Sequence, residues 1–279
     1  MPELAVDGLV HVYRDGGVRA LDGINLSVAP GERVAIVGQN GSGKTTLVRH
    51  LNGLLRPTAG RITLDGKDAA TLTVARLAAI VGLTFQDPDR QVFAGSVRAE
   101  VEFGPRNLGR RGSDLADAVG LALSATGLAD DERTNPYDLG VSRRKRLAIA
   151  SVLAMRTPIL VLDEPTTGQD ARGVERVQSI VDSVAAEGRT VIAVSHDMRF
   201  VAESFERVIV MRAGRIILDE PPGVAFASGS WTALRSTFVE PPLAAVAGDR
   251  LGLRASTPTI ERLVAELSRE NAERPGVGQ

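Results

Sequence analysis

Apolar residues in this chain change their rhythm three times, and each change predicts a different kind of structure. Early on, short β-like runs occupy residues 4–12, 24–28, 33–37 and 61–64, separated by Gly- and Asp-bearing clusters that punctuate strands. After Thr45 the apolar residues Leu47, Leu51 and Leu54 recur at helical spacing, and 81–85 reads as another buried strand. From Ser96 to Met155 the pattern becomes helical, over 100–106, 115–126 and 143–155, with glycines in the connections. Short apolar runs then return at 159–162, 190–194, 208–211 and 216–218, with a helix predicted over 174–186. Strands alternating with helices predict an α/β fold whose mostly parallel sheet is covered on both faces.

Beyond Pro221-Pro222 the strand pattern stops. Residues 223–279 carry one amphipathic helix, with Ile260, Leu263, Val264 and Leu267 on its apolar side, and 274–279 are expected to fray. No internal repeat is present. No run approaches the roughly 18 apolar residues of a membrane span, and Met1-Pro2-Glu3 does not open a signal peptide. A soluble, intracellular protein is expected.

Composition narrows the chemistry. The 279 residues hold 33 Lys+Arg and 34 Asp+Glu, a formal net charge of −1, so a protein that coats nucleic acid with a basic surface is disfavoured. Cysteine is absent, which excludes disulfides, Cys-ligated zinc and thiol catalysis. Lysine occurs only at 44, 67 and 145, every other basic residue being Arg, so each lysine is conspicuous.

One of the three falls in Gly38-Gln39-Asn40-Gly41-Ser42-Gly43-Lys44-Thr45-Thr46, which matches the G-x4-G-K-[ST] phosphate loop between a strand and a helix. Glycines 38, 41 and 43 let the backbone turn sharply and aim N–H groups at phosphate oxygens, and the helix N-terminus adds its positive end. Lys44 would reach the outer phosphates, and Thr45 would offer its hydroxyl to Mg²⁺. The apolar run 159–162 ends in Asp163-Glu164, which puts carboxylates at the carboxyl edge of a parallel sheet, where ligands bind in such folds. Asp163 would hold Mg²⁺, mostly through water, and Glu164 could polarise an attacking water.

These residues resemble the ATP-binding subunits of ABC transporters, over residues 3–222. Gln86 sits where that family has its Q-loop. Asp163 to Asp170 looks like the Walker B motif running into the D-loop, Ser195-His196-Asp197 like the switch histidine, and Tyr13 like the aromatic ring that stacks on adenine. The resemblance implies a P-loop NTPase of RecA-like type, with an antiparallel β subdomain, a helical subdomain inserted over 87–155 and a C-terminal extension over 223–279. Within the family, Phe85-Gln-Asp-Pro-Asp-Arg-Gln-Val-Phe93 is similar to the ATPases of energy-coupling-factor transporters, including the cobalt type. Those subunits power uptake of vitamins and trace metals. In that group the extension can help pair two ATPase subunits.

The family resemblance implies ATP and Mg²⁺ as ligands, with Thr45, Gln86 and Asp163 organising the metal, and Glu164, Gln86 and His196 as the catalytic set. It implies a second ATPase subunit, the same chain or a paralogue, together with a transmembrane scaffold and substrate-binding membrane components, at the cytoplasmic face of the membrane and without nucleic acid. Other ABC importers or exporters, and a soluble nucleotide-switched ABC module, are the alternatives.

The chain departs from the family at its signature. Leu-Ser-Gly-Gly-Gln falls on Leu139-Gly140-Val141-Ser142-Arg143, so the serine, both glycines and the glutamine are replaced. Three readings stay open: a weakened site in an asymmetric pair, replacement of the lost contacts by Ser142 and Arg143, or a tolerant loop. The first two are favoured, because contacts to a γ-phosphate can be worth several kcal/mol at a transition state. The run 143–146 reads as a solvated helix start facing a nucleotide or an acidic partner. His11 and His50 read as structural, and Trp231 as an anchor for the C-terminal segment.

Overall fold

Among the described residues, 1–14 and 16–273 of a computed structural model, the short apolar runs form ten strands in two sheets. The tail expected to fray, 274–279, lies outside them. In chain order the strands are β1 (Leu4–Val12), β2 (Arg19–Val28), β3 (Arg33–Val37), β4 (Ala59–Leu64), β5 (Lys67–Asp68), β6 (Val81–Thr84), β7 (Ile159–Asp163), β8 (Thr190–Val194), β9 (Arg207–Arg212) and β10 (Arg215–Glu220).

The smaller sheet runs β2-β1-β4-β5 and is antiparallel. Burial along β1 is close to alternating, as expected when one face meets a core and the other meets solvent. The larger sheet runs β10-β9-β3-β8-β7-β6, parallel except for β10. Every residue of β6, β7 and β8 is buried, which is why those strands read as unbroken apolar runs. The fold is therefore the α/β arrangement with an added antiparallel sheet that the sequence implied.

The inserted helices are Val97–Asn107, Gly112–Thr126 and Val141–Leu153. The first starts earlier than its apolar spacing suggests, because the Ser96 side chain accepts from the Ala99 N–H and caps it. These helices share their own apolar core around Val97, Val101, Leu123 and Leu147. The helix of the phosphate loop, Lys44–Leu51, ends before Leu54 at Asn52, with Gly53 following at φ +77°.

The C-terminal stretch does not stand apart from the sheet. Phe226, Leu234, Val239 and Ala245 are buried in one cluster with Phe200, Val208 and Val210. Replacing a fully buried Phe226 with Ala would cost about 3–5 kcal/mol. Trp231 donates its indole N–H to the Phe226 carbonyl at 2.9 Å and anchors this stretch, as read from the sequence. The last helix, Ile260–Glu273, leaves Ile260 and Val264 exposed. No helix among the described residues is long and apolar enough to cross a membrane.

Candidate functional site

Parallel pairing of β3, β8, β7 and β6 brings four separate sequence motifs to one edge of the sheet. The glycine-rich loop leaves β3, Asp163 and Glu164 end β7, His196 follows β8 and Gln86 follows β6. The Glu164 N–H donates to the Val194 carbonyl at 2.9 Å, which ties the ends of β7 and β8 together. A cleft of about 520 Å³ opens there, lined by Tyr13, Asn40, Gly41, Gly43, Lys44, Thr45, Thr46, Gln86, Glu164 and His196. Most of the predicted binding residues thus meet in one place.

The loop's shape depends on glycine at two positions. A Cβ on Gly38 (φ +143°) would stand 2.2 Å from the Met211 carbonyl oxygen, and one on Gly43 (φ +105°) 2.6 Å from that of Ala20. Neither approach is possible with a side chain. Gly38 and Gln39 form the back of the loop, where their carbonyls accept from the Lys44 ammonium at 2.5 and 2.8 Å. Lys44 is buried, and burial pushes its pKa down while Glu164 and Asp163 pull it back up. An ammonium held only by carbonyl dipoles at the mouth of a cleft suits exchange onto phosphate oxygens. Ser42 is fully buried, and its hydroxyl lacks a partner.

Asp163 and Glu164 are buried carboxylates with different surroundings. Burial raises the pKa of Asp163, opposed by hydrogen bonding from Thr45. Its Oδ1 has no partner, and a buried carboxylate oxygen of this kind beside a threonine hydroxyl fits a hard, oxygen-seeking cation such as Mg²⁺. Glu164 has φ +54°, a left-handed conformation that costs a non-glycine residue on the order of 1 kcal/mol. Burial also raises its pKa, countered by the Thr167 hydroxyl, by Lys44 and by Lys145. His196 Nε2 stands 3.2 Å from Glu164 Oε1, and burial and the Lys44 charge lower the histidine's pKa. A raised carboxylate pKa beside a lowered imidazole pKa draws the two groups' affinities for a proton closer together, which eases proton transfer between them.

Tyr13 reaches the cleft with its hydroxyl 3.1 Å from that of Thr46. Its ring meets His11 edge-on at 4.6 Å, and His50 Nε2 lies 3.1 Å from His11 Nδ1. The two histidines read as separate structural residues therefore form one buried pair behind the tyrosine.

Ser142 and Arg143 do not line this cleft. The Ser142 hydroxyl donates to the Gln169 side chain at 2.9 Å, and Arg143 pairs with Asp131. The basic run reads from the sequence as a solvated helix start facing a nucleotide or an acidic partner, and it is solvated only in part: Arg143 is exposed and Arg144 Nε lies 3.3 Å from Asp89, whereas Arg146 donates to the Thr126 carbonyl at 2.8 Å and Lys145 is buried. Burial lowers the Lys145 pKa, and Glu164, Asp163 and Asp87 oppose that shift, so this lysine belongs to the carboxylate neighbourhood. Its rarity in the chain was the only sequence signal.

Two further residues escaped sequence reading. Gln91 accepts from the Phe85 N–H at 3.0 Å and donates to the Ala148 carbonyl at 2.8 Å, clipping the segment after β6 to the helix Val141–Leu153. Thr237, fully buried in the C-terminal stretch, accepts from the Gln39 N–H at 2.9 Å and donates to the Met211 carbonyl at 3.0 Å. Gln91 lies within the 85–93 stretch, where the sequence assigns it no role of its own, and no local motif marks Thr237.

Comparison with known proteins agrees with this geometry. The ABC transporter family model matches residues 21–167. The energy-coupling factor transporter ATP-binding protein of Methanothermobacter thermautotrophicus is 41% identical over 216 residues, covering 77% of this chain and 69% of that protein. The structure of cbiO1 from Clostridium perfringens, part of the ABC transporter complex cbiONQ, superposes with a TM-score of 0.72 at 36% identity, over 84% of this chain and 95% of that one. A dimeric ATP-binding cassette in a post-hydrolysis state, bound to ADP and Pi, superposes with a TM-score of 0.72 at 25% identity, over 78% and 98%. The chain spans 37–44% of the length of putative ABC transporter ATP-binding proteins from Methanosarcina that it also matches.

Proposed function

This chain belongs to the ABC transporter family of ATP-binding proteins, and from that premise we propose that it is the ATP-hydrolysing subunit of an energy-coupling-factor transporter for vitamins or trace metal ions. The observation that carries the ATPase reading is the convergence of loop, carboxylates and histidine on one cleft at the sheet's carboxyl edge. Similarity to an energy-coupling factor protein and to cbiO1 supports the transporter type, together with the 85–93 stretch.

In this reading residues 38–46 receive the phosphates of ATP, with Lys44 moving from the loop carbonyls to phosphate oxygens, and Tyr13 faces the adenine. Thr45, Gln86 and Asp163 would hold Mg²⁺, which when bound neutralises phosphate charge. Glu164 accepts a proton from the attacking water, and its raised pKa makes it an effective base near neutral pH. His196 orients Glu164 from 3.2 Å and senses the γ-phosphate. Residues 3–222 form the ATP-binding domain, within which 87–155 moves with the nucleotide state, coupled to Gln86 through the Gln91 clip.

A second ATPase chain, this one or a paralogue, closes head to tail on the cleft and presents its own signature region. Ser142 and Arg143 serve the partner's site in the same way, released from Gln169 and Asp131. The exposed Phe238 and Leu243 in 223–279 offer an apolar surface for pairing. Phe93 and Phe103, exposed and packed edge-to-face at 4.8 Å on the helical subdomain, offer another for a transmembrane scaffold. That docking would hold the protein peripherally at the cytoplasmic face.

Co-expression with a candidate scaffold and substrate-binding component tests the whole reading. The expected result is a membrane complex whose ATP-dependent uptake is lost with Glu164→Gln. A chain that hydrolyses ATP but never joins the membrane fraction would overturn the transporter assignment. The signature can be probed separately, since Gly140 has ordinary backbone angles and open space at its Cβ. Gly140→Ser with Arg143→Gln should raise turnover if the natural loop is weak, and lower it if Arg143 has taken over the phosphate contact.

A further inference from the structure

The chain has three histidines, and the fold gathers all of them around the ATP cleft. His196 lines it, whereas His11 and His50 lie behind it, both buried. A closed circuit of contacts joins the buried pair to the cleft wall. The Tyr13 hydroxyl lies 3.1 Å from the Thr46 hydroxyl. The Thr46 carbonyl accepts from His50 Nδ1 at 2.7 Å, and His50 Nε2 lies 3.1 Å from His11 Nδ1. The His11 ring then returns to Tyr13, at 4.6 Å and 84°. Tyr13 and Thr46 both line the cleft, so the circuit begins and ends on its surface.

The hydrogen-bond pattern assigns the protons. A carbonyl only accepts, so His50 Nδ1 carries the N–H. Burial lowers the His50 pKa and favours the neutral ring, which leaves Nε2 a bare acceptor. His11 Nδ1 must then be the donor to it, and the Arg56 carbonyl accepts from the same nitrogen at 3.3 Å. The other His11 tautomer would put its N–H on Nε2, a buried atom without a partner among the described residues. Each ring is thus held in one orientation by its neighbour. The link also spans two elements: His11 lies on β1 of the antiparallel sheet, and His50 on the helix Lys44–Leu51 that leaves the phosphate loop.

We propose that His11 and His50 are positioning residues for the nucleobase. Through Thr46 and the edge of the Tyr13 ring, they hold that ring at a set distance and angle from the phosphate loop, so adenine meets a ready-made face. The proposal rests on the reading of Tyr13 as the adenine-facing residue. Without the circuit, binding must first order the tyrosine, and that cost falls on the base and not on the phosphates.

The test is calorimetric titration of the full-length protein, in Mg²⁺, with ATP and with tripolyphosphate, which carries phosphates and no base. His50→Asn keeps a donor for the Thr46 carbonyl but is too short to reach His11, whereas His50→Gln can place its amide oxygen where Nε2 stands and accept from His11. His50→Asn should raise the Kd for ATP about three- to tenfold, the range for re-ordering one side chain, and leave that for tripolyphosphate within about twofold. His11→Ala, at the other end of the circuit, should do the same, and His50→Gln should recover most of the ATP affinity. Tripolyphosphate binding also reports that the phosphate loop of each variant is folded. Tyr13→Ala separates this proposal from the reading beneath it. If that variant binds ATP like the parent, Tyr13 does not face adenine and the proposal falls with that reading. If it weakens ATP while His50→Asn and His11→Ala do not, the adenine reading stands and the proposal alone is overturned. Equal loss of ATP and tripolyphosphate in the histidine variants, or glutamine as harmful as asparagine, would make the pair a brace for the fold and overturn it as well.

Discussion

Thr237 gives the sharpest test of how the phosphate loop is held. Its hydroxyl sits between the Gln39 N–H and the Met211 carbonyl, at 2.9 and 3.0 Å, with the side chain fully buried. That same carbonyl is the atom a Gly38 side chain would strike, so the start of the loop depends on both the Thr237 hydroxyl and the bare Gly38. Thr237→Val keeps the shape but replaces the hydroxyl with a methyl. It strands one donor and one acceptor in a buried place, at a combined cost of about 2 kcal/mol. In a domain of this size that lowers the Tm by about 4 °C. Part of the loss falls on the ordering of residues 38–41, so the Kd for Mg·ATP should rise roughly three- to tenfold. Differential scanning calorimetry and titration with a fluorescent ATP analogue measure the two effects. Thr237→Ser, which keeps the hydroxyl, should recover most of both. If the valine variant melts and binds like the parent, or if serine is as harmful as valine, the hydroxyl bridge does not hold the loop.

The other predictions concern the carboxylates and the surfaces. Glu164→Gln should retain ATP binding while kcat falls by about 10²–10⁴, and near-normal turnover in a steady-state ATPase assay would remove Glu164 as the base. Lys145→Gln takes a cation away from a carboxylate whose pKa burial already raises, so the Glu164 pKa should rise further. The acidic limb of the kcat–pH profile should then move to higher pH, and an unmoved limb would place Lys145 outside the electrostatics of the site. Phe93→Glu should abolish co-purification with the membrane scaffold and leave the ATPase of the isolated chain unchanged, because Phe93 is exposed and does not line the cleft.

What could be read directly from the chain was whatever a few consecutive residues encode. The phosphate loop is contiguous, with its glycines, Lys44 and Thr45 in a fixed spacing between strand and helix. β7 and β8 announce themselves as unbroken apolar runs because both their faces are covered. Asp163, Glu164 and His196 follow from their place at the ends of those strands. Helix boundaries were less legible where a cap such as Ser96 outweighed apolar spacing.

Tertiary structure decided everything that joins distant segments. Gln39 and Thr237 are 198 positions apart, and no pattern around Thr237 signals that it braces the loop. The run from Arg143 to Arg146 looked like one solvated patch, yet the fold gives its members separate partners and buries Lys145 toward the carboxylates. Residues 223–245 looked like an appendage until Phe226 and Leu234 were seen inside the sheet's own core. The physical reason is the same in each case. Backbone preference and apolar periodicity act over a few residues, whereas the partner of a buried hydroxyl, lysine or phenyl ring is set by which faces of the whole chain come together out of water.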